Sequence, residues 1–401
     1  MNILVVGNGF DLAHGLPTKY SDFLEFAKKI EITSSWQGNK EAYINKHIKM
    51  WETNNEVREY VIKAFETRKV VLNNNTMNSQ PYIQELYDNI KDNVWLKYFY
   101  NEYTKVKSIG IHWIDFESEI KRIIKSFDNQ CNTKYDMIGK KRFENDELKN
   151  FYSVNYSILN EYLDKKRYND LINKLENDLN CLIRCLEIYL EDCVGQINTV
   201  CLSPDIKSIS IDNVLSFNYT NTYEKIYDIS NNTNYHFIHG KTNISTKGNN
   251  MVLGINEYLP NELRNVDTDY IVFKKYYQRI IKGTGNEYRV WLKFIKDEYE
   301  EHLENCKKTS NFCNLSIPSK PYDIHNVYIF GHSLDMTDKD ILKDLILSPN
   351  VVTTIFYKDK NQQSQQIANL VKVITEFELI ERTSSADQSI IFKQQNDMIK
   401  E

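Results

Sequence analysis

The first nine residues constrain the fold more than any other stretch. An apolar run, Ile3-Leu4-Val5-Val6, stops on Gly7, and a second glycine follows at Gly9. A half-exposed strand would alternate apolar and polar residues. A continuous apolar run ended by glycine reads instead as a strand buried on both faces, the habit of a parallel sheet. Gly7 lets the chain bend sharply and Gly9 lets backbone amides approach a ligand closely, so a helix opened by this turn offers a site for phosphate. The third glycine of a dinucleotide turn is displaced to Gly15, ahead of Leu16-Pro17.

Strand-like runs resume only from about residue 199, at 214–217, 235–239, 252–253, 327–330 and 351–357. Helical patterns fall among them at 222–227, 288–306, 338–347 and 363–375. Strands alternating with helices predict an α/β core around a doubly wound, mainly parallel sheet. Between the first strand and this region, Leu171, Leu175, Leu179, Leu182, Leu186 and Leu190 step by three or four residues, making one apolar stripe on a helix that ends near Gly195. Further helices are expected over 56–69, 82–103 and 116–127. The predicted organisation is a core of residues 1–39 and 198–401 with an all-helical insertion at 40–197. Asn73-Asn74-Asn75 marks a surface loop.

A net charge of −5 argues against a general nucleic-acid binder. No apolar run approaches the roughly 20 residues of a membrane span. The N-terminal apolar run has no basic lead-in and Gly7 interrupts it at once, so a cytoplasmic location is expected. The seven cysteines are odd in number and contain no Cys-x-x-Cys pair, which disfavours a disulfide framework and a zinc ribbon. Cys181 and Cys185, four residues apart on a predicted helix, read as buried structural residues.

Ligands of doubly wound sheets bind beyond the carboxyl ends of the strands, so polar motifs directly after strands matter most. Four occur: the Gly7 turn, Ser216-Phe217-Asn218-Tyr219-Thr220-Asn221, His239-Gly240, and Gly331-His332-Ser333-Leu334-Asp335. In this order they resemble sirtuin-like proteins. There the phosphate loop reads Gly-Ala-Gly-x-Ser-x-x-x-Gly-Ile-Pro, and later strands end in Asn-x-Asp, His-Gly and Gly-x-Ser-Leu. This chain departs from that pattern with Asn8 for alanine, Asp11 for serine and Thr220 for aspartate, and Asn218 precedes His239 by only 21 residues. The whole string from Gly7 to Thr18 also resembles the AbiH family of bacterial abortive-infection proteins. That likeness extends to Trp113-Ile114-Asp115-Phe116-Glu117, Phe217-Asn218-Tyr219-Thr220, Ile238-His239-Gly240, Phe273-Lys274-Lys275-Tyr276-Tyr277-Gln278-Arg279 and Gly331 to Asp335.

The AbiH likeness implies phage defence. The sirtuin-like one implies a Rossmann-type core, NAD as substrate and cleavage of its nicotinamide–ribose bond by water, an NAD glycohydrolase serving as toxic effector. In that reading Asn218 orients the water or the ribose hydroxyls, and His239 takes a proton, a role open to histidine because its ordinary pKa lies near working pH. The amides of Asn8, Gly9 and Phe10 in the Gly7 turn hold the diphosphate, and Asp11, Pro17, Gly331, His332 and Ser333 complete the binding set. Asp11 reads equally as a ribose ligand or a helix cap. His236 is expected to face away from His239 and serve structure. Asp335, Asp338 and Asp340 are read as helix-start residues, and Lys274, Lys275 and Arg279 as solvated charge. No metal is expected. The expected partners are NAD, a phage-derived trigger and a second copy through the insertion, with no membrane or nucleic acid. Two competing readings are a non-catalytic sensor of NAD or ADP-ribose, and a metal-dependent nuclease built on Asp115, Glu117 and Glu119.

Overall fold

A computed structural model describes residues 1–72, 81–131, 145–164, 168–246, 248–312, 322–384 and 388–400. Asn73 to Asn75 lie outside the described residues. The chain forms two compact units: Met1–Leu16, Thr199–His239 and Thr284–Glu401 make the first, Pro17–Asn198 and Gly240–Gly283 the second. The units thus divide at other positions than 39/40 and 197/198, and 240–283 packs with the helical unit.

The first unit is built on strands β1 (Asn2–Val6), β2 (Cys201–Leu202), β3 (Asn213–Ser216), β4 (Asn234–Phe237), β5 (His325–Phe330), β6 (Val351–Tyr357), β7 (Ile390–Gln394) and β8 (Ile399–Lys400). Six of them form one sheet in the order β4-β3-β1-β5-β6-β7, while β2 and β8 pair separately. Every pairing in the six-stranded sheet is parallel. β7, whose exposed positions blunt its apolar pattern, has no counterpart in the sequence reading.

Residues along each strand feed two cores alternately. Ile3, Val5, Leu215, Val327 and Ile329 pack with Leu342 and Leu345 of helix Lys339–Ile346 and with Leu370 and Val373 of helix Lys360–Ile374. Leu4, Val6, Val214, Phe330 and Phe356 pack with Phe10, Ile206 and Tyr223 on the opposite face. Both faces are therefore covered, which is why these strands read as continuous apolar runs. Each fully buried branched side chain contributes about 2 kcal/mol of transfer free energy.

The register sets up the site. Val6 pairs with Ser216 on one side and Phe330 on the other, and Ser216 pairs with Phe237. The ends of β4, β3, β1 and β5 are level, so the turns at Gly7, Phe217, Ile238 and Gly331 leave the sheet along one edge.

In the second unit the leucine stripe from Leu171 to Leu190 is buried throughout. It lies on helix Tyr168–Ile188 and a following π-turn, Tyr189–Cys193. The helix expected over 82–103 is two helices, Pro81–Ile90 and Val94–Ser108. Asp92 takes a φ of +55° between them, and Asn93 caps the second with its side chain. Val252 and Leu253 form no strand. They belong to a buried irregular segment in which the Gln278 side chain accepts from the Leu253 amide and donates to its carbonyl.

Candidate functional site

The turn after β1 meets the turn after β5 backbone to backbone. The Gly9 amide donates to the Gly331 carbonyl at 2.8 Å, and the Phe10 amide donates to the Gly7 carbonyl at 2.8 Å. Gly331 has a φ of +69°, and a side chain there would overlap the Phe10 nitrogen. Two of the three amides that the sequence reading gives to a diphosphate therefore already have protein acceptors. Asn8, between them and Gly7, is half-buried.

Asn218 follows β3 and turns its side chain back to β1, its Nδ2 donating to the Gly7 carbonyl at 2.9 Å. This bond ties the second motif to the first. Beside it lies Asp11, which is 1% exposed. The Thr220 hydroxyl donates to Asp11 Oδ2 at 2.5 Å, and the Thr222 hydroxyl donates to Thr220 Oγ1 at 3.3 Å. Asp11 Oδ1 is buried without a hydrogen-bond partner among the described residues. Burial pushes the Asp11 carboxyl up to about 6, while the hydrogen bond from Thr220 pulls the other way. The carboxylate lies beside a cavity of about 10 Å³, room for about one water, lined also by Ser216, Asn221, Tyr223, Tyr235 and Phe237. Asp11 is thus a pocket residue in the body of the first helix, Asn8–Ala13, whose N-cap is Gly7. The neighbouring motif histidine, His14, is held between the Phe10 carbonyl and the Tyr227 hydroxyl, both at 2.7 Å.

A second polar group sits on the other face of the sheet, where Phe217 joins the core of Ile3, Val5 and Leu215. Phe217 lies edge-on to His239 and His332, with ring centroids 5.7 and 4.4 Å away. Both imidazoles reach one carboxylate. His239 Nε2 is 3.6 Å from Asp338 Oδ1, and His332 Nε2 is 3.4 Å from Asp338 Oδ2. The Leu334 amide donates to His332 Nδ1 at 2.9 Å, so Nε2 carries the proton toward Asp338. Leu334 adopts a φ of +58° while fully buried, a conformation few side chains take, so the loop holds strain to present His332. Helix Lys360–Ile374 fastens that loop: Gln366 Nε2 donates to the His332 carbonyl at 3.2 Å, and Asn369 Nδ2 to the Ser333 carbonyl at 2.9 Å.

Asp338 is the functional candidate that sequence reasoning missed. Its neighbour Asp335 does cap, accepting from the Thr337 amide, but Asp338 makes no side-chain cap for the helix it precedes and faces two histidines instead. The signal lay just past Gly331-His332-Ser333-Leu334-Asp335, where Asp338 follows Asp335 by three residues. His236 is structural, as expected, stacked on Tyr288 with centroids 5.5 Å apart and bonded to the Thr284 carbonyl. It does not face away from His239, however, because Tyr288 belongs to the same core as Phe217. The strand ends at Phe237, so the strand period does not extend to His239. Ser333 has an exposed side chain. Pro17 belongs to the second unit, where its carbonyl accepts from the Tyr189 hydroxyl at 2.7 Å.

The other charged motifs are committed to packing in the second unit. Asp115 caps helix Phe116–Cys131 by accepting from the Glu117 amide and the Ser118 hydroxyl. Glu117 pairs with Lys275 at 2.7 Å, and Glu119 with Arg122 at 2.6 Å. Lys274 and Lys275 are not solvated: both are buried, and Lys274 Nζ meets Glu257 at 2.9 Å. Among the described residues no group of three or more His, Cys, Asp or Glu side chains is arranged to hold a metal ion. Nor does any described helix have the length and apolarity to cross a membrane.

A profile of the family described as "Bacteriophage abortive infection AbiH" matches residues 3–358, and the chain belongs to that family. No curated protein and no solved structure matches it. Membership points to a role in phage abortive infection.

Proposed function

We propose that this AbiH-family protein hydrolyses the nicotinamide–ribose bond of NAD and acts by depleting NAD during abortive infection. The observation that carries the reading is the pairing of His239 and His332 with Asp338 at the sheet edge where the glycine turn also lies. An acid–base histidine held by a carboxylate, beside a dinucleotide turn, suits proton transfer on a bound nucleotide.

Two further features support it. With the two-residue β2 set aside, the parallel strands run 3-2-1-4-5-6, the order of dinucleotide-binding sheets whose ligands lie over the first and fourth strands. Those strands end at Gly7 and Gly331. The second feature is a reciprocal exchange. Where the sirtuin-like pattern has serine on the glycine turn and aspartate after the asparagine, this chain has Asp11 and Thr220, and the two are hydrogen-bonded. The two residue types stand at exchanged positions, and in this chain they meet.

In the proposed reaction the C1′–N bond breaks and its electron pair returns to the pyridinium nitrogen, so nicotinamide leaves neutral. The ribose carbon passes through an oxocarbenium-like state that water captures, and the water's proton goes to His239 and then to solvent. Asp338 orients His239 and stabilises the imidazolium while it holds the proton. Asn218, fixed to the Gly7 carbonyl, positions the attacking water or a ribose hydroxyl.

A non-catalytic sensor is the second reading, favoured by the protein acceptors already taken by the Gly9 and Phe10 amides. Purified protein incubated with NAD, with and without lysate from phage-infected cells, separates the two when nicotinamide and ADP-ribose are read by chromatography. Release abolished by His239→Ala and by Asn218→Ala is the expected result. NAD binding without release in either condition overturns the glycohydrolase and leaves the sensor.

A further inference from the structure

We propose that the helical second unit carries a docking surface for an anionic lipid bilayer, formed by the loop 109–113 and the turn 48–51 along one side of helix Tyr20–Ser35. The sequence reading sets membranes aside for want of a spanning run, but a surface that lies on lipid headgroups needs none.

Of the motif Trp113 to Glu117, Ile114 and Phe116 are buried, Asp115 caps a helix and Glu117 pairs with Lys275. Trp113 is left outside. It is 52% exposed, and its side chain makes no hydrogen bond or ring contact among the described residues. Ile109 and Ile111 on the same loop are 73% and 47% exposed. Gly110 turns the chain out of helix Val94–Ser108 at a φ of +83°, and a Cβ there would meet nothing within 4 Å. Met50, in the turn, is 87% exposed.

Helix Tyr20–Ser35 brings loop and turn together. The Ser21 hydroxyl reaches the His112 carbonyl at 3.4 Å, Glu25 pairs with Lys107 at 2.6 Å, and Lys29 Nζ lies 5.8 Å from the centre of the Trp51 ring. Positions 21, 25 and 29 share one face of a helix and span about 12 Å. Four protruding apolar side chains therefore belong to one strip of surface.

The charge of the strip favours an anionic partner. Lys28, Lys105 and Lys107 are each held by a glutamate, at 2.6, 2.7 and 2.6 Å. Lys29, Lys49 and Arg58, the last donating to the Trp51 carbonyl at 3.0 Å, have no carboxylate partner among the described residues. Against these three cations stands Glu52, next to Trp51, so two positive charges are in excess on a chain of net charge −5. Burial pushes the Lys29 amine down, and Lys107 adds to that against the pull of Glu25. An incoming anion relieves the repulsion between the two lysines.

The apolar chemistry selects lipid. Three of the four protruding side chains are aliphatic, able to enter acyl chains but not to stack on bases, and an indole sits well at headgroup level. Lysine stems lie along such a surface and leave their ammonium groups at the phosphates.

The test is co-sedimentation of the full chain with vesicles of phosphatidylcholine alone and of phosphatidylcholine mixed with phosphatidylglycerol. Binding is expected to be about tenfold or more tighter on the anionic vesicles, and to weaken as salt rises. Ile109→Ser with Trp113→Ala should lower it about tenfold or more, and Lys29→Gln with Lys49→Gln about tenfold. Melting temperatures identify the folded variants, and Lys49→Gln carries the charge test where Lys29→Gln disturbs packing on Trp51. No binding to anionic vesicles, or binding that the folded variants retain, overturns the proposal. Tighter binding to single-stranded DNA than to the vesicles overturns it in favour of a nucleic acid. A wild-type dimer that Ile109→Ser with Trp113→Ala turns into monomers in light scattering overturns it in favour of a second copy.

Discussion

The Thr220 hydroxyl donates to Asp11 Oδ2 at 2.5 Å, joining the first helix to the loop after β3 across 209 residues of sequence. The pair is one unit, so its members should be exchangeable. Thr220→Asp sets a second carboxylate against a buried one and Asp11→Ser strands the Thr220 hydroxyl, so each should destabilise. Asp11→Ser with Thr220→Asp rebuilds the pair in reverse and should recover a coupling of about 2 kcal/mol in a denaturant double-mutant cycle. Simple addition of the two losses would show that the contact is incidental.

Burial raises the Asp11 carboxyl to about 6 from a model-compound value of 3.8. The folded state therefore favours the protonated acid. The associated stability is fully present below the unfolded value and is lost as pH rises through about 6, at most about 3 kcal/mol. Asp11→Asn, an uncharged isostere, should match wild type near pH 4 and exceed it increasingly up to pH 7. Melting midpoints across this range check it, and parallel curves for the two proteins would refute it.

Gly331 and Gly15 both have positive φ, at +69° and +77°, but different surroundings. A Cβ at Gly331 would overlap the backbone of Phe10 and Gly9, and one at Gly15 would meet nothing within 4 Å. Gly331→Ala should cost about 3 kcal/mol or more, from backbone strain plus displacement of the glycine turn. Gly15→Ala should cost about 1 kcal/mol, from strain alone. Equal losses in chemical denaturation would mean that the two turns do not press on each other as described.

Asp338 and Asp335 stand three residues apart with different work to do. Asp335 caps the turn at Met336–Asp338, a role asparagine fills well. Asp338→Asn removes the charge that holds two imidazoles. Nicotinamide release should fall about a hundredfold in Asp338→Asn and stay within about threefold of wild type in Asp335→Asn. Steady-state kcat for the two variants decides it, and equal effects would reduce Asp338 to a helix-start residue.

The chain's local pattern determined a great deal. Ile3 to Val6 read as a strand covered on both faces, and the glycines and polar residues that end such runs marked where the candidate turns lie. These signals are local because strand and helix periods repeat within a few residues. Tertiary structure alone decided which groups meet. The Lys274 and Lys275 pattern reads as solvated charge, yet Glu257 and Glu117 bury it. Asp338 looks like one of three helix-start aspartates until His239 arrives from another strand. The glycine-turn amides look open until the Gly331 carbonyl closes on Gly9. A partner delivered from a distant strand or helix leaves no period in the sequence around the residue it meets, and the energy of burying a charge or an amide depends on that partner.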